Sequence, residues 1–191
     1  MRCKLNVTRY PNVGLRWVLG VLLGTLTGVA AAGPSPCSDP GHRQFDFWEG
    51  SWRVETAEGQ HAGDNRIVRA ERGCLMVENW QGSRGATGTS LNFYSRELDG
   101  WRQVWVSPGV IIDIAGGLVD GSMVLTGTIT YQAQAASRPF RGTWTPLPDG
   151  RVRQFFEEQR PDEAGEVGWQ PWFEGFYARQ ADDAEGPDVD G

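Results

Sequence analysis

The chain has 191 residues, with 24 acidic against 18 basic side chains and a formal charge of −6 near neutral pH. That balance excludes nucleic acid and anionic lipid as natural partners. With only two histidines and three cysteines, little material is left for a metal centre.

The first segment reads as a leader. Arg2, Lys4, Arg9 and Arg16 precede an apolar run from Trp17 to Ala32, and no acidic residue occurs before Asp39. The run is short and rich in Gly and Thr for a membrane span, and Ala30-Ala31-Ala32 offers small residues for cleavage. Residues 1–32 are therefore assigned as a signal peptide, with an uncleaved amino-terminal anchor as the alternative. Its loss takes away four positive charges and no negative ones, lowering the formal charge from −6 to −10. The expected product is a secreted, periplasmic protein without stable membrane insertion.

Residues 33–44 form an arm, residues 45–180 the folded domain and residues 181–191 an acidic tail, "ADDAEGPDVDG", expected to be disordered. Roughly 150 residues suffice for one domain with a sizeable core. Once Cys3 leaves with the leader, Cys37 and Cys74 remain in an oxidising compartment, where a disulfide is the natural pairing and two free thiols the alternative. His42 lies in the arm and His61 in the loop of the first hairpin, "EGQHAGD". Neither is expected to be a ligand.

After residue 40 no stretch carries a sustained helical period; short alternating runs stop at Gly-containing turns, so the chain is all-β. Asp99-Gly100, Asp120-Gly121 and Asp149-Gly150 supply the positive φ angles of tight hairpins. Ten strands are predicted to start near residues 47, 65, 74, 87, 101, 110, 122, 138, 151 and 168. An open ten-stranded meander would expose two long edges, which favours closure into an up-and-down antiparallel barrel, with a two-sheet sandwich as the alternative.

Arginines belong on the outside of such a barrel, so their neighbours point in. Arg102 outside places Trp101, Gln103 and Trp105 inside; Arg151 and Arg153 outside place Val152, Gln154, Phe156 and Glu158 inside. In "SMVLTGTITY", Met123, Leu125, Ile129 and Tyr131 share one face, and the opposite face with its threonines is the wet one. Arg53 turns Trp52 and Val54 inward, and Arg141 turns Phe140 and Trp144 inward. In the last strand Trp172 alternates out of phase with Trp169 and Phe173, so one face must expose or externally cover a ring.

"Gly50-Ser51-Trp52" at the start of the first strand resembles the Gly-x-Trp signature of the calycin superfamily, which includes lipocalins, fatty-acid-binding proteins and haem-binding nitrobindins. The chain from Phe45 to Arg179 more specifically resembles an uncharacterised bacterial family of secreted calycin-like domains opening with Phe-Asp-Phe-(Trp/Leu)-x-Gly-x-Trp. The matching stretches are "FDFWEGSW", "GCLMVENW", "GTSLNFY", "GWRQVWVS" and "GRVRQFFEE". The resemblance implies that Trp52 closes the barrel bottom beneath a basic residue of the last strand, for which Arg179 in "GFYARQ" is the match. Trp48 is expected to pack on the outside of that closure. The haem-binding relatives take their iron ligand from a histidine late in the barrel, and no histidine follows His61 here. No cofactor is therefore expected.

Chemistry is sparse elsewhere. There is no Gly-x-Ser-x-Gly elbow, no strand histidine to act as a base, no phosphate loop and no zinc spacing. What remains is an interior constellation of Gln103, Gln154 and Glu158, with Glu78 as a further candidate, beside Trp101, Trp105, Trp144 and Phe156. A buried carboxylate is costly, so these groups either pair with an interior arginine or reach water and a ligand; alternatively Glu158 points into solvent at the strand end. Indole faces with polar groups between them suit a small apolar or amphipathic molecule. Two other readings stand beside that one: an isomerase or lyase using Glu78 or Glu158 as a general acid or base, and a solidly packed barrel acting through exposed rings such as Trp172.

Overall fold

A computed structural model describes residues 36–180; the leader and the acidic tail lie outside the described residues. Ten antiparallel strands follow one another in chain order: β1 (Gly50–Glu55), β2 (His61–Ala70), β3 (Leu75–Gly82), β4 (Thr87–Ser95), β5 (Gly100–Ser107), β6 (Val110–Val119), β7 (Ser122–Tyr131), β8 (Ala136–Pro146), β9 (Val152–Pro161) and β10 (Val167–Arg179). β1 pairs with β2 on one side and β10 on the other, with Trp52 opposite Arg179 and Val54 opposite Tyr177, so the sheet closes on itself. The two-sheet alternative is thereby excluded. Closure pairs both edge strands and leaves no row of unsatisfied backbone groups. At the β6–β7 hairpin Asp120 and Gly121 both take positive φ, 48° and 80°, which is what a two-residue turn matched to strand twist requires.

Strand faces follow the arginine rule. Trp101, Gln103, Val152, Gln154, Phe156 and Glu158 are buried, as are Met123, Leu125 and Ile129, whereas Thr126 and Thr128 are exposed. Outside, the arginines pair across strands: Arg102 donates to Asp113 at 2.9 and 2.7 Å, Arg141 to Glu157 and Arg153 to Glu174. Being largely solvated, such pairs set register more than they stabilise.

One end of the barrel is filled solid. The arm carries a single helical turn, α1 (Pro40–Arg43), capped by the Asp39 carboxylate, which accepts from the His42 backbone amide. The buried His42 ring lies 2.7 Å from Asp39 and edge-on to Tyr94. A 3-10 turn over Asp46–Trp48 then drives Phe45 and Trp48 into the barrel. Their rings stack at 4.9 Å, and Phe45 meets Trp101 and Trp144 at 5.5 and 5.2 Å. Trp48 thus lies inside the closure, not on its outer surface as the sequence suggested. Trp48 and Trp52 are four residues apart, so strand alternation already put them on one face; the 3-10 turn carries Trp48 on into the plug.

The indole of Trp52 donates to the Trp48 carbonyl at 2.9 Å, which ties the two tryptophans into one plug. Arg179 covers Trp52, with its guanidinium 4.4 Å from the ring centre and one N–H donating to the Glu49 carbonyl at 2.9 Å. Stacking of this kind contributes ~0.5–2 kcal/mol. Arg69 joins the turn to β2 through ion pairs with Asp46 and Glu49.

Cys37 and Cys74 are bonded, 37 residues apart, and fasten the arm to the residue preceding β3. Replacing both by serine should lower the unfolding free energy by about 3–4 kcal/mol on the chain-entropy relation. Urea denaturation of the double variant beside the oxidised parent checks this; equal midpoints and slopes would show that the barrel holds its arm without the bond.

Candidate functional site

The other end of the barrel, bounded by the β1–β2 and β3–β4 turns, is hollow. A cavity of about 420 Å³ opens there, walled by Trp80, Trp105, Ile112, Phe156, Phe173 and Tyr177, with Glu78 and Gln154 among the rings. Thr56, Gln60, His61, Ser83, Arg84 and Trp172 form its rim.

Glycines create this space. A Cβ on Gly88 would fall 1.9 Å from the Trp105 ring, one on Gly63 2.7 Å from the Trp80 ring, and one on Gly175 2.8 Å from Phe173. Each ring therefore lies against a strand with no side chain beneath it. Rings laid along the wall line the interior instead of filling it.

Of the residues proposed from the sequence, Glu78, Trp105, Gln154 and Phe156 line the cavity. Four others do not. Trp101 belongs to the plug, donating to the Gly41 carbonyl at 3.1 Å; Trp144 packs between Phe45, Trp48 and Phe156; Gln103 is buried behind Ser90 and Asn92. Glu158 is only 1% exposed, so it does not point into solvent. Its oxygens accept from Arg138 at 2.8 Å and from the Tyr131 hydroxyl at 2.9 Å. The two carboxylates take the two different solutions available to buried charge: Glu158 pairs with an arginine, and Glu78 faces a cavity.

Tryptophan positions in β10 depend on a bulge. The register with β9 shifts between Pro171 and Phe173, leaving Trp172 as the extra residue; proline, which cannot donate to the ladder, is tolerated at such places. The shift brings Trp172 over the rim, 39% exposed, where it packs against Phe140 and Phe156 and donates to the Tyr131 hydroxyl at 3.2 Å. Trp169 is the ring on the outside, covered by the Arg141 guanidinium at 4.6 Å. His61 is not in the hairpin loop as expected; it begins β2 and sits at the rim, 3.1 Å from Asp64.

Glu78 ends a directed chain of hydrogen bonds. The Asn92 side chain donates to the Met76 carbonyl at 3.2 Å, an acceptor that fixes its amide orientation. Its oxygen then accepts from Gln103 at 2.8 Å, and its second N–H donates to Ser90 Oγ at 2.7 Å. The Ser90 hydroxyl hands its own proton to Glu78 at 2.6 Å, and Asn65 donates to the other carboxylate oxygen at 2.7 Å. Beyond Asn65, the Tyr177 hydroxyl donates to Gln154 Oε1. Burial, followed by the nearby Glu78 charge, holds the Tyr177 phenol well above its ordinary range, so it stays a donor.

Burial is also the dominant influence on Glu78 itself. It raises the carboxyl from 4.5 to about 7, against the smaller opposing effect of the Ser90 and Asn65 donors. The group therefore changes charge close to neutrality, inside a ring-lined space.

No protein-family model matches the chain, and no curated protein is significantly similar to it. Fold and site together define a closed ten-stranded up-and-down β-barrel, sealed at one end and hollow at the other.

A raised acid pKa means that the native state binds the extra proton. Stability from Glu78 is fully present below the unfolded value of 4.5 and is lost as pH rises through about 7. Between pH 5 and pH 8 the loss amounts to roughly 2–3 kcal/mol. Glu78→Gln should remove that component, so the variant should lose less unfolding free energy than the parent between pH 5 and pH 8, by this amount. Denaturation of both proteins at the two pH values measures it, and identical differences would place Glu78 in contact with water.

Proposed function

We propose that this protein is an exported calycin-like carrier that holds one small apolar or amphipathic molecule in the open half of its barrel. The observation that carries the reading is the cavity of about 420 Å³, ring-walled with a few convergent polar groups, a size and lining typical of small-molecule sites. The resemblance of the opening Phe45–Trp52 stretch to calycin-like domains supports it, as does the Arg179 guanidinium stacked on Trp52 at the sealed end. The basic and apolar leader, together with the Cys37–Cys74 bond, supports export to an oxidising compartment. Among the described residues no helix is long and apolar enough to cross a membrane.

A second reading is favoured by one observation. Glu78 faces the cavity with its carboxyl raised to about 7, which suits a general acid or base in an isomerase or lyase. Glu158, tied to Arg138 and Tyr131, is less suited to that role. The Glu78→Gln variant separates the two readings, because an enzyme would keep its ligand and lose turnover.

Native mass spectrometry of protein purified gently from the periplasm tests the carrier reading. A stoichiometric small molecule should accompany the parent and be lost from Gly88→Ala, in which the new methyl pushes Trp105 into the cavity while the fold, judged by circular dichroism, persists. A clean apo mass, with no apolar ligand able to shift tryptophan fluorescence, would overturn it.

A further inference from the structure

The polar wall of the cavity is built to end in negative charge. The Gln103–Asn92–Ser90 chain donates stepwise to Glu78, one Asn92 N–H being held by the Met76 carbonyl, and Asn65 donates from the opposite side. None of these partners is charged, and among the described residues no ion pair includes Glu78. Glu158, by contrast, has Arg138 at 2.8 Å.

The groups facing Glu78 from the neighbouring elements are Asn65 on β2, Ser90 on β4 and the Tyr177 phenol on β10. The other ionisable groups of the cavity, His61 and Arg84, stand at the rim. A buried carboxylate whose neighbours are all neutral donors lacks one thing, a cation. The cavity that Glu78 lines is walled by Trp80, Trp105, Phe156, Phe173 and Tyr177, and aromatic faces attract positive charge most strongly where water is excluded.

We infer that the cavity selects a protonated amine carried on an apolar body, with the ammonium group against Glu78 and the apolar part among the rings. This deepens the carrier reading and rests on it. Among the described residues each carboxylate oxygen accepts one side-chain hydrogen bond, which leaves lone pairs for the N–H groups of the ligand. The negative formal charge of the chain favours the approach of cations. An anionic ligand would meet Arg84 only at the rim and would be repelled deeper in by Glu78.

Calorimetric titration with 2-phenylethylamine, 2-phenylethanol and 3-phenylpropanoate at pH 8 tests the inference, since the three share a ring and differ in the charge of the head group. The amine should bind about tenfold or more tightly than the alcohol, as expected of a hydrogen bond to a charged group. In Glu78→Gln the amine should lose about that factor while the alcohol changes little. Ser90→Ala, which removes a donor but not the charge, should keep the preference for the amine. The comparison on the parent protein needs no variant to fold. Alcohol or carboxylate binding as tightly as the amine would overturn the inference and leave the carrier reading standing; binding of none of the three at millimolar concentration would overturn both.

Discussion

Closing ten strands into one sheet leaves an interior that is wider than simple side-chain packing fills. About eight strands already enclose a core that inward residues just occupy, and diameter grows with strand number. The rest of the structure follows from how that surplus is distributed. At one end the chain inserts its own arm: Phe45 and Trp48 enter from a 3-10 turn, Trp52 is bonded to the Trp48 carbonyl, and Arg179 lies over the last ring. At the other end none of the described segments enters, and glycines let Trp80, Trp105 and Phe173 lie along the wall. The plug supplies the continuous core that stability requires. That arrangement frees the opposite half from packing and makes a cavity tolerable.

The two buried carboxylates show the same division. Glu158 is neutralised locally by Arg138 and Tyr131, which also receives the Trp172 indole, so the group serves to fasten the rim of β7, β8, β9 and β10. Glu78 is held by neutral donors only, and burial keeps its carboxyl near neutrality. A structural carboxylate would gain from an arginine partner, and the fold provides such partners freely on its outer face. Among the described residues no such partner pairs with Glu78, and that is the ground on which a ligand is proposed there.

Much of the architecture was legible in the chain because arginine marks the outside. Arg53, Arg102, Arg141, Arg151 and Arg153 set the parity of four strands, and the buried residues agree with it. β3 has no arginine between Leu75 and Gly82, so Glu78 remained only a candidate and Trp80 was missed altogether, although it lies two residues on and shares its face. In β10 the period of two breaks at Pro171, and the bulge there brings Trp172, the ring expected to be exposed, over the cavity rim; proline within the strand was the available signal. Trp48 was misplaced although its spacing of four from Trp52 put both on one face; the 3-10 turn that folds the arm into the barrel leaves no periodic trace. The cavity itself has no local signature. It depends on contacts such as Gly88 with Trp105 and Gly63 with Trp80, which strand tilt and stagger bring together.

The central claim is a barrel solid at one end and hollow at the other. Crystals of residues 33–191 pressurised with xenon test it directly, because the gas occupies dry apolar space. The account predicts density, from xenon or from a resident ligand, between Trp80, Trp105, Phe156 and Phe173, and none between Phe45, Trp48 and Trp144. An interior without density, with the Trp80 and Trp105 rings turned inward to fill it, would contradict the account and leave a solid barrel that acts through its surface.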